Sequence, residues 1–322
     1  MKSKKKVLIT GGAGFIGFHL SKKLLSEGFK VDLIDNLSRG KKDLELNKLL
    51  KSKNAKFKNV DLSQSINLKN KNYDYIFHLA AIVGVKNVIE NPSNVLKKNI
   101  KLLMNLLEFS SKQKSIKRFF FLSTSEVYAG SLKNKLLKFP TNEKNILSLE
   151  NLGNKRSTYM LSKIYGEALC HFSGVPFTIL RPHNIFGERM GMSHVIPELT
   201  MKILKKDKNL TVYNYNHKRA FCYIDDAIEM IIKIMYSKKT LDRTYNLGDP
   251  RKEISISELA KKIIKILKKN KKIKFKKLNN FSPTRRLPSM RSLSRDINLK
   301  FKSSFDFNLL KTVEWYKKNI KR

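Results

Sequence analysis

Through the first half of the chain, short apolar runs alternate with longer stretches in which apolar positions return every three or four residues. The runs at Lys6–Thr10, Lys30–Asp35, Ala55–Asn59, Tyr75–Leu79, Phe119–Ser123 and Phe177–Arg181 predict strands, and the stretches Gly14–Glu27, Asn94–Ser111 and Thr158–Phe172 predict helices. Strands that are apolar at nearly every position are buried on both faces, which calls for a parallel sheet covered by helices on either side. Right-handed crossovers then wind the sheet doubly, and the fold class expected is α/β. After Pro182 the elements become shorter and the loops more polar, with no internal repeat and no low-complexity linker. A smaller C-terminal region interleaved with the sheet region is therefore expected.

Composition changes this picture little. A chain of 322 residues has room for one large domain or two modest ones sharing a core, and 41% apolar with 10% aromatic residues is ordinary for a globular protein. Cys170 and Cys222, far apart and outside any metal-like spacing, suit a reducing compartment and imply neither a disulfide nor a metal site. The basic start Met1–Lys6 lacks the apolar core of a signal peptide, and no apolar stretch is long enough to cross a bilayer. A cytoplasmic protein with no membrane span is expected.

Charge is the abnormal quantity, at +41. Its lysines are spread along the whole chain beside many asparagines and isoleucines, and no nucleic-acid-binding signature accompanies them, so a solvated surface is expected and no nucleic-acid partner. The densest run, Lys261–Lys269, has helical periodicity with one apolar face. Packing on the core is its expected use, ahead of attachment to an anionic membrane.

Candidate chemistry begins at the first strand. Val7–Gly17 reads as a strand, a glycine turn and a helix start, with Gly11 for the tight turn, Gly14 for close approach of a pyrophosphate and Gly17 for helix–strand packing. The helix start, with Phe15 and Ile16, offers N–H donors and partial positive charge to phosphates. Asp35, followed by Asn36, ends the second strand where a ribose-binding acid belongs, and its carboxylate favours NAD because it would repel the 2′-phosphate of NADP. Asp61 and Leu62 follow the third strand and are candidates for the adenine end, Asp61 being equally suited to a helix cap. Leu79, Ala80 and Ala81 end the fourth strand with side chains that leave room for a flat cofactor, while His78 reads as a packed core residue. The whole is a Rossmann-type reading.

The fifth strand ends in Ser123, Thr124, Ser125 and Glu126, and Tyr159 and Lys163 lie one helical turn apart farther on, on one helix face. A phenol with a pKa of about 10 is a poor base at neutral pH. Lys163 and a positive nicotinamide ring are expected to lower that value, so that Tyr159 takes the proton of a sugar hydroxyl that Thr124 also hydrogen-bonds.

The glycine turn, Asp35, the Ser123–Glu126 segment and the Tyr159/Lys163 pair together resemble the extended short-chain dehydrogenase/reductase superfamily, and more narrowly its NAD-dependent nucleotide-sugar epimerase/dehydratase family, over nearly the whole chain. The resemblance implies NAD as cofactor, a nucleotide-diphosphate sugar as substrate and a homodimer formed by the helices near Asn94–Ser111 and Thr158–Phe172. It groups Ser123 and Asn99, a helix asparagine of structural use, with the cofactor site, and Ser125 with the substrate. Val85 lies in a segment, Gly84–Pro92, similar to the family loop after the fourth strand. Asn184, in Arg181–Gly187, and Arg219, in Lys218–Asp226, match residues that bind the substrate diphosphate, and either Arg285 or Arg286 matches a later arginine. From the residue alone, Arg219 is also a sensible phosphate fork. Glu188 and Ser289 depart from the family's common proline and aspartate, which puts the identity of the sugar in question. Residues 1–181 and about 217–248 are expected to bind NAD, and about 182–216 and 249–322 the nucleotide sugar.

The family's shared step is oxidation at sugar C4. Epimerisation, its commonest activity, is the expected outcome; a 4,6-dehydratase or a UDP-glucuronate-type decarboxylase is the alternative, with a C4 dehydrogenase or a non-catalytic binding protein behind them. Glu126 discriminates, because dehydratases use a carboxylate there as a base and decarboxylases carry a similar Thr-Ser-Glu segment. Ser125 stands where many dehydratases have Asp.

Overall fold

Seven parallel strands form the central sheet of the computed structural model, which describes residues 5–64, 72–149, 151–277, 283–301 and 303–319. Residues 1–4 of the basic N-terminus, and with them part of the reading made there, lie outside the described residues. The strands are β1 (Lys6–Thr10), β2 (Lys30–Asp35), β3 (Ala55–Asn59), β4 (Tyr75–His78), β5 (Arg118–Leu122), β6 (Phe177–Pro182) and β7 (Arg243–Leu247). Their order across the sheet is β7-β6-β5-β4-β1-β2-β3. The first three expected strands coincide with the observed ones, and the other strand and helix ends match or differ by one or two residues, the usual fraying.

Alternation of side chains sorts the sheet's two faces into two cores. Val7, Ile9, Val31, Leu33, Phe77 and Phe120 pack toward the helices Phe15–Ser26 and Ile224–Tyr236. Leu8, Ile34, Ile76, Phe119, Phe121 and Ile179 pack toward Pro92–Ser111 and Ser157–Phe172. Phe77 and Phe120, register partners on β4 and β5, stack with ring centroids 4.3 Å apart. At the edge, β3 keeps only Ala55 and Phe57 partly covered and turns Lys56 and Lys58 to solvent.

β7 was not among the expected strands. Arg-Thr-Tyr-Asn-Leu is half polar, yet Tyr245, Asn246 and Leu247 are buried against β6 in parallel register. The polar residue inside is satisfied by specific partners: Asn246 donates to the Thr141 carbonyl at 2.9 Å and accepts from Tyr128 Oη at 2.9 Å.

The remaining strands are short. Ile185–Phe186 pairs with Cys222–Tyr223, Lys218–Ala220 lies between Glu253–Ser255 and Arg285–Arg286, and Asn209–Tyr213 pairs with Lys272–Lys276. The segment 217–248 is thus divided: β7 joins the large sheet, whereas Lys218–Ala220 and Cys222–Tyr223 belong to small ones. The lysine-dense run sits on the helix Ile256–Leu267, whose Leu259, Ala260, Ile263 and Leu267 are buried and whose start carries a capping box between Ser255 and Glu258. Among the described residues no helix is long and apolar enough to cross a membrane.

Sheet order reverses between β1 and β4. Helices leave in opposite directions there, and a crevice opens at the carboxyl ends of the strands.

Candidate active site

That crevice is an open cleft of about 1070 Å³, with the glycine turn at one end and Tyr159, Glu126 and Arg286 at the other. Gly11 (φ +70°) lies in the left-handed region, and its carbonyl accepts from the Gly14 N–H at 3.0 Å. A Cβ on Gly17 would collide with the Gly11 carbonyl. Gly11, Gly14, Phe15, Ile16 and Gly17 all line the cleft, so the helix start faces it with N–H groups that no side chain caps. This bare cradle fits a diphosphate.

Asp35, buried at the end of β2, accepts from the Ala13 N–H at 3.0 Å and the Leu37 N–H at 2.8 Å, which ties the acid to the glycine turn. Asn36, Leu62, Leu79, Ala80, Ala81 and Val85 line the same cleft. Asp61 does not. Its carboxylate accepts from the Ser63 N–H at 2.9 Å, a local turn that holds it below the usual carboxylate range, while Val60 and Leu62 form the wall. Asn99 also lies outside the wall: it accepts from the Ile82 N–H at 2.7 Å and donates to the Ile82 carbonyl at 3.1 Å, so it braces the loop after β4 from behind. His78 is buried and shares a 2.9 Å hydrogen bond with Thr10; burial first, then Lys163, brings its pKa down to about 3.

At the other end Ser123, Thr124, Ser125 and Glu126 follow β5 into the cleft, and Tyr159 and Lys163 reach it from the helix Ser157–Phe172. The Ser123 hydroxyl donates to Glu167 at 2.5 Å, and Glu167 is held by a buried fork from Arg181. The Thr124 hydroxyl lies beside the Tyr159 phenol and acts to lower its pKa. The expected lowering of the Tyr159 pKa by Lys163 is not what the chain alone produces. Burial and then Glu126 push the phenol up, opposed by Thr124, Arg39 and Arg286. Lys163 instead donates to the Leu122 carbonyl at 2.7 Å, with its ammonium 6.0 Å from the centre of the Tyr159 ring. Burial lowers its own pKa to about 8.

Glu126 is ion-paired with Arg286. Burial works against its charge, but Arg286 and Arg156 prevail and hold the carboxyl below its ordinary value. The two adjacent arginines of the strand Arg285–Arg286 part company as side chains on a strand do. Arg286 faces the cleft, whereas Arg285 turns to Glu253 at 2.9 Å and lies over the Phe139 ring. Arg219, the expected phosphate fork, sits beside Arg286 in register but outside the cleft wall. It donates to the carbonyls of Lys218 (2.8 Å) and Pro283 (2.6 Å), and burial followed by Arg286 lowers its pKa to about 9. Asn184 lines the cleft in a left-handed conformation (φ +43°) that asparagine tolerates, its amide donating to the Ala220 carbonyl at 3.1 Å. Glu188 is turned away from the sugar end, accepting from Tyr223 Oη at 2.9 Å and pairing with Lys311. Ser289 is engaged with the Thr141 carbonyl.

Arg39, Arg156, Arg189, His194 and Trp315 also line the cleft and were not singled out from the sequence. Arg156, three residues before Tyr159, and Arg189, next to Glu188, stand beside residues the sequence does single out.

Residues 7–248 match the NAD dependent epimerase/dehydratase family. The chain is 30% identical to the UDP-N-acetyl-alpha-D-glucosaminuronate decarboxylase of Bacillus cytotoxicus, over 98% of each chain. Among solved structures it is similar to the UDP-glucose 4-epimerase of Thermotoga maritima, crystallised with UDP-glucose (26% identity, TM-score 0.83, 98% of this chain and 99% of that one). It is likewise similar to the UDP-glucuronic acid 4-epimerase of Bacillus cereus, solved with UDP-glucuronic acid and NAD (26% identity, TM-score 0.81, the same coverage). The chain belongs to the NAD dependent epimerase/dehydratase family and is an NAD-dependent enzyme of nucleotide-sugar metabolism.

Proposed function

We propose that the enzyme oxidises C4 of a UDP-linked uronic acid and then releases C6 as carbon dioxide. The observation that carries this reading is the Glu126–Arg286 ion pair beside Tyr159, in a pocket that Arg156 also lines. Bound NAD supplies the hydride acceptor at C4. As the C4 hydride leaves, Tyr159, in the phenolate form that Lys163 and a bound nicotinamide ring would favour, takes the proton of the C4 hydroxyl; Thr124 hydrogen-bonds the same oxygen, and Asp35 with the glycine turn would hold the cofactor's ribose and diphosphate. Glu126 and Arg286 then face the substituent at C5. A C5 proton acceptor, as 4,6-dehydration needs, is poorly served by a carboxylate that two arginines hold below its ordinary value. A uronic acid suits the pocket better, because Arg286 can exchange Glu126 for the substrate carboxylate. With C4 a ketone, the C5–C6 bond breaks and carbon dioxide leaves, its electron pair moving toward the C4 oxygen, where the hydroxyls of Tyr159 and Thr124 stabilise the charge that develops; the enolate then takes a proton from water at C5, and return of the hydride to C4 and of the Tyr159 proton to its oxygen gives the pentose.

C4 epimerisation is the second reading, favoured by the Thermotoga maritima and Bacillus cereus structures. Substrate Asn184 and Val85, cofactor-side Ser123, and Ser125 at the sugar are assigned as lining residues of this site in both readings. We further infer a homodimer through the helices Pro92–Ser111 and Ser157–Phe172, which turn Met104, Tyr165 and Phe172 to solvent. Cys170 and Cys222, free and buried, suit the cytoplasm.

The test is product identity. Incubation with NAD and, separately, UDP-glucuronate, UDP-glucose or dTDP-glucose, followed by proton NMR, should give a pentose product from UDP-glucuronate alone. A 6-deoxy-4-keto product from a neutral sugar would replace this reading with dehydration.

A further inference from the structure

His183 belongs to the Arg181–Gly187 segment, and the proposed reaction gives it no task. It is 2% exposed and lies outside the cleft wall, beside a second and much smaller chamber. Asn246 fixes how its ring is hydrogen-bonded. The Asn246 amide donates to the carbonyls of Thr141 (2.9 Å) and Ser289 (3.4 Å), so its oxygen faces Tyr128 Oη and, at 3.0 Å, His183 Nε2. Nε2 therefore carries the proton. Burial above all, with Arg286 and Arg181 adding to it, brings the imidazole pKa down to about 3, so the ring is neutral and Nδ1 is a bare acceptor. Among the described residues that acceptor has no partner. The same holds for the buried Nε–H of Arg286, whose Nη2 is engaged with Glu126. One orphan accepts and the other donates. Both residues line the small chamber together with Ser125 and Thr141. Its volume of about 10 Å³ is that of about one water, the usual partner of such buried groups.

We propose that this chamber binds a single water that accepts from Arg286 Nε and donates to His183 Nδ1, which makes His183 a positioning residue for Arg286. Water alone suits the pair: the Nδ1 lone pair repels an anion, and the guanidinium repels a cation. With Nη2 on Glu126 and Nε on the water, the guanidinium is held at two points, and its remaining donors keep one aim into the cleft. That aim is what meeting a substrate carboxylate requires. The effect on substrate rests on the uronic acid reading, whereas the water site does not.

A crystal structure of the NAD-bound full chain, at a resolution that orders water, should show one water within about 3.2 Å of both atoms. It needs no variant, so it decides even where a substitution unfolds the protein. Two variants then separate positioning from packing. His183→Asn keeps an acceptor in the place of Nδ1 and loses the hydrogen bond to Asn246; His183→Gln keeps that bond and loses the acceptor. His183→Gln should raise KM for UDP-glucuronate about tenfold, the size of one lost hydrogen bond, with NAD affinity unchanged, while His183→Asn stays within about threefold of wild type. A merely structural histidine would rank the two the other way. The proposal is overturned by a crystal structure without that water, by a protein group on either atom, or by His183→Gln serving at least as well as His183→Asn. The water present in a protein inactive on UDP-glucuronate would retire the uronic acid reading and leave the water site standing.

Discussion

Lys163 shows how far a side chain's surroundings can turn its chemistry. Buried at the end of β5, its ammonium is satisfied by a single carbonyl, that of Leu122, and its pKa falls to about 8. The fold therefore disfavours its charged form. Below about pH 8 the folded protein carries the full cost of a buried ammonium; between 8 and the ordinary lysine value of 10.5 the unfolded chain binds the extra proton, so stability rises with pH across that window. Lys163→Met should accordingly lose turnover by on the order of 10²–10⁴ yet gain about 1–3 kcal/mol of stability at pH 7. Thermal melts of both proteins from pH 7 to pH 10 check this: the gain should shrink toward zero as pH rises. A variant less stable than wild type at pH 7 would mean that the Leu122 hydrogen bond outweighs desolvation. At this scale the sequence was informative wherever a residue type has one plausible use, as with the glycines and Asp35. Arg219 and Asp61 are less legible, because a guanidinium satisfies backbone carbonyls as readily as phosphates, and a two-residue turn engages the Asp61 carboxylate, as the cap alternative anticipates. The choice between Arg285 and Arg286 needed the strand register, which no local pattern carries.

Among the elements, the buried strands were legible because both faces of the sheet are covered, which leaves little choice but apolar residues. β7 was not, since its polar positions are compensated by partners as distant in sequence as Tyr128 and Thr141. The short strands of the C-terminal part gave no period at all, two or three residues being too few to show one. Helices on the second face of the sheet carry a further consequence. Pro92–Ser111 and Ser157–Phe172 pack closely, with Gly166 allowing Phe121 and Leu103 to approach where a Cβ would lie 2.6 Å and 2.9 Å from them. Their outer sides expose Phe172 at 89%, Met104 at 50% and Tyr165 at 48%, apolar side chains that a second copy of the chain would cover in the proposed dimer. Sedimentation should find a dimer at micromolar concentration, and Met104→Glu with Tyr165→Glu should give a folded monomer by placing unpaired charge in the contact. A monomeric wild type would refute the assignment.

For the molecule as a whole, the large positive charge and the site are separate matters. Lysines line the helix Ile256–Leu267 and one face of the strand Lys272–Lys276, whereas the cleft gathers arginines around one carboxylate. Arginine is the residue that forks onto carboxylates and phosphates, so its prevalence in the cleft, in a chain where lysine is by far the commoner cation, supports anionic substrate groups there. We propose that this pocket receives a uronic acid and removes its C6. UDP-glucuronate labelled with ¹³C at C6, incubated with NAD and the wild-type enzyme, measures it directly through the labelled carbon dioxide evolved. One equivalent of labelled carbon dioxide per sugar consumed is the result predicted, with release falling by on the order of 10²-fold in Arg286→Gln. Consumption of UDP-glucuronate to its C4 epimer, with all of the label retained in the sugar, would contradict it.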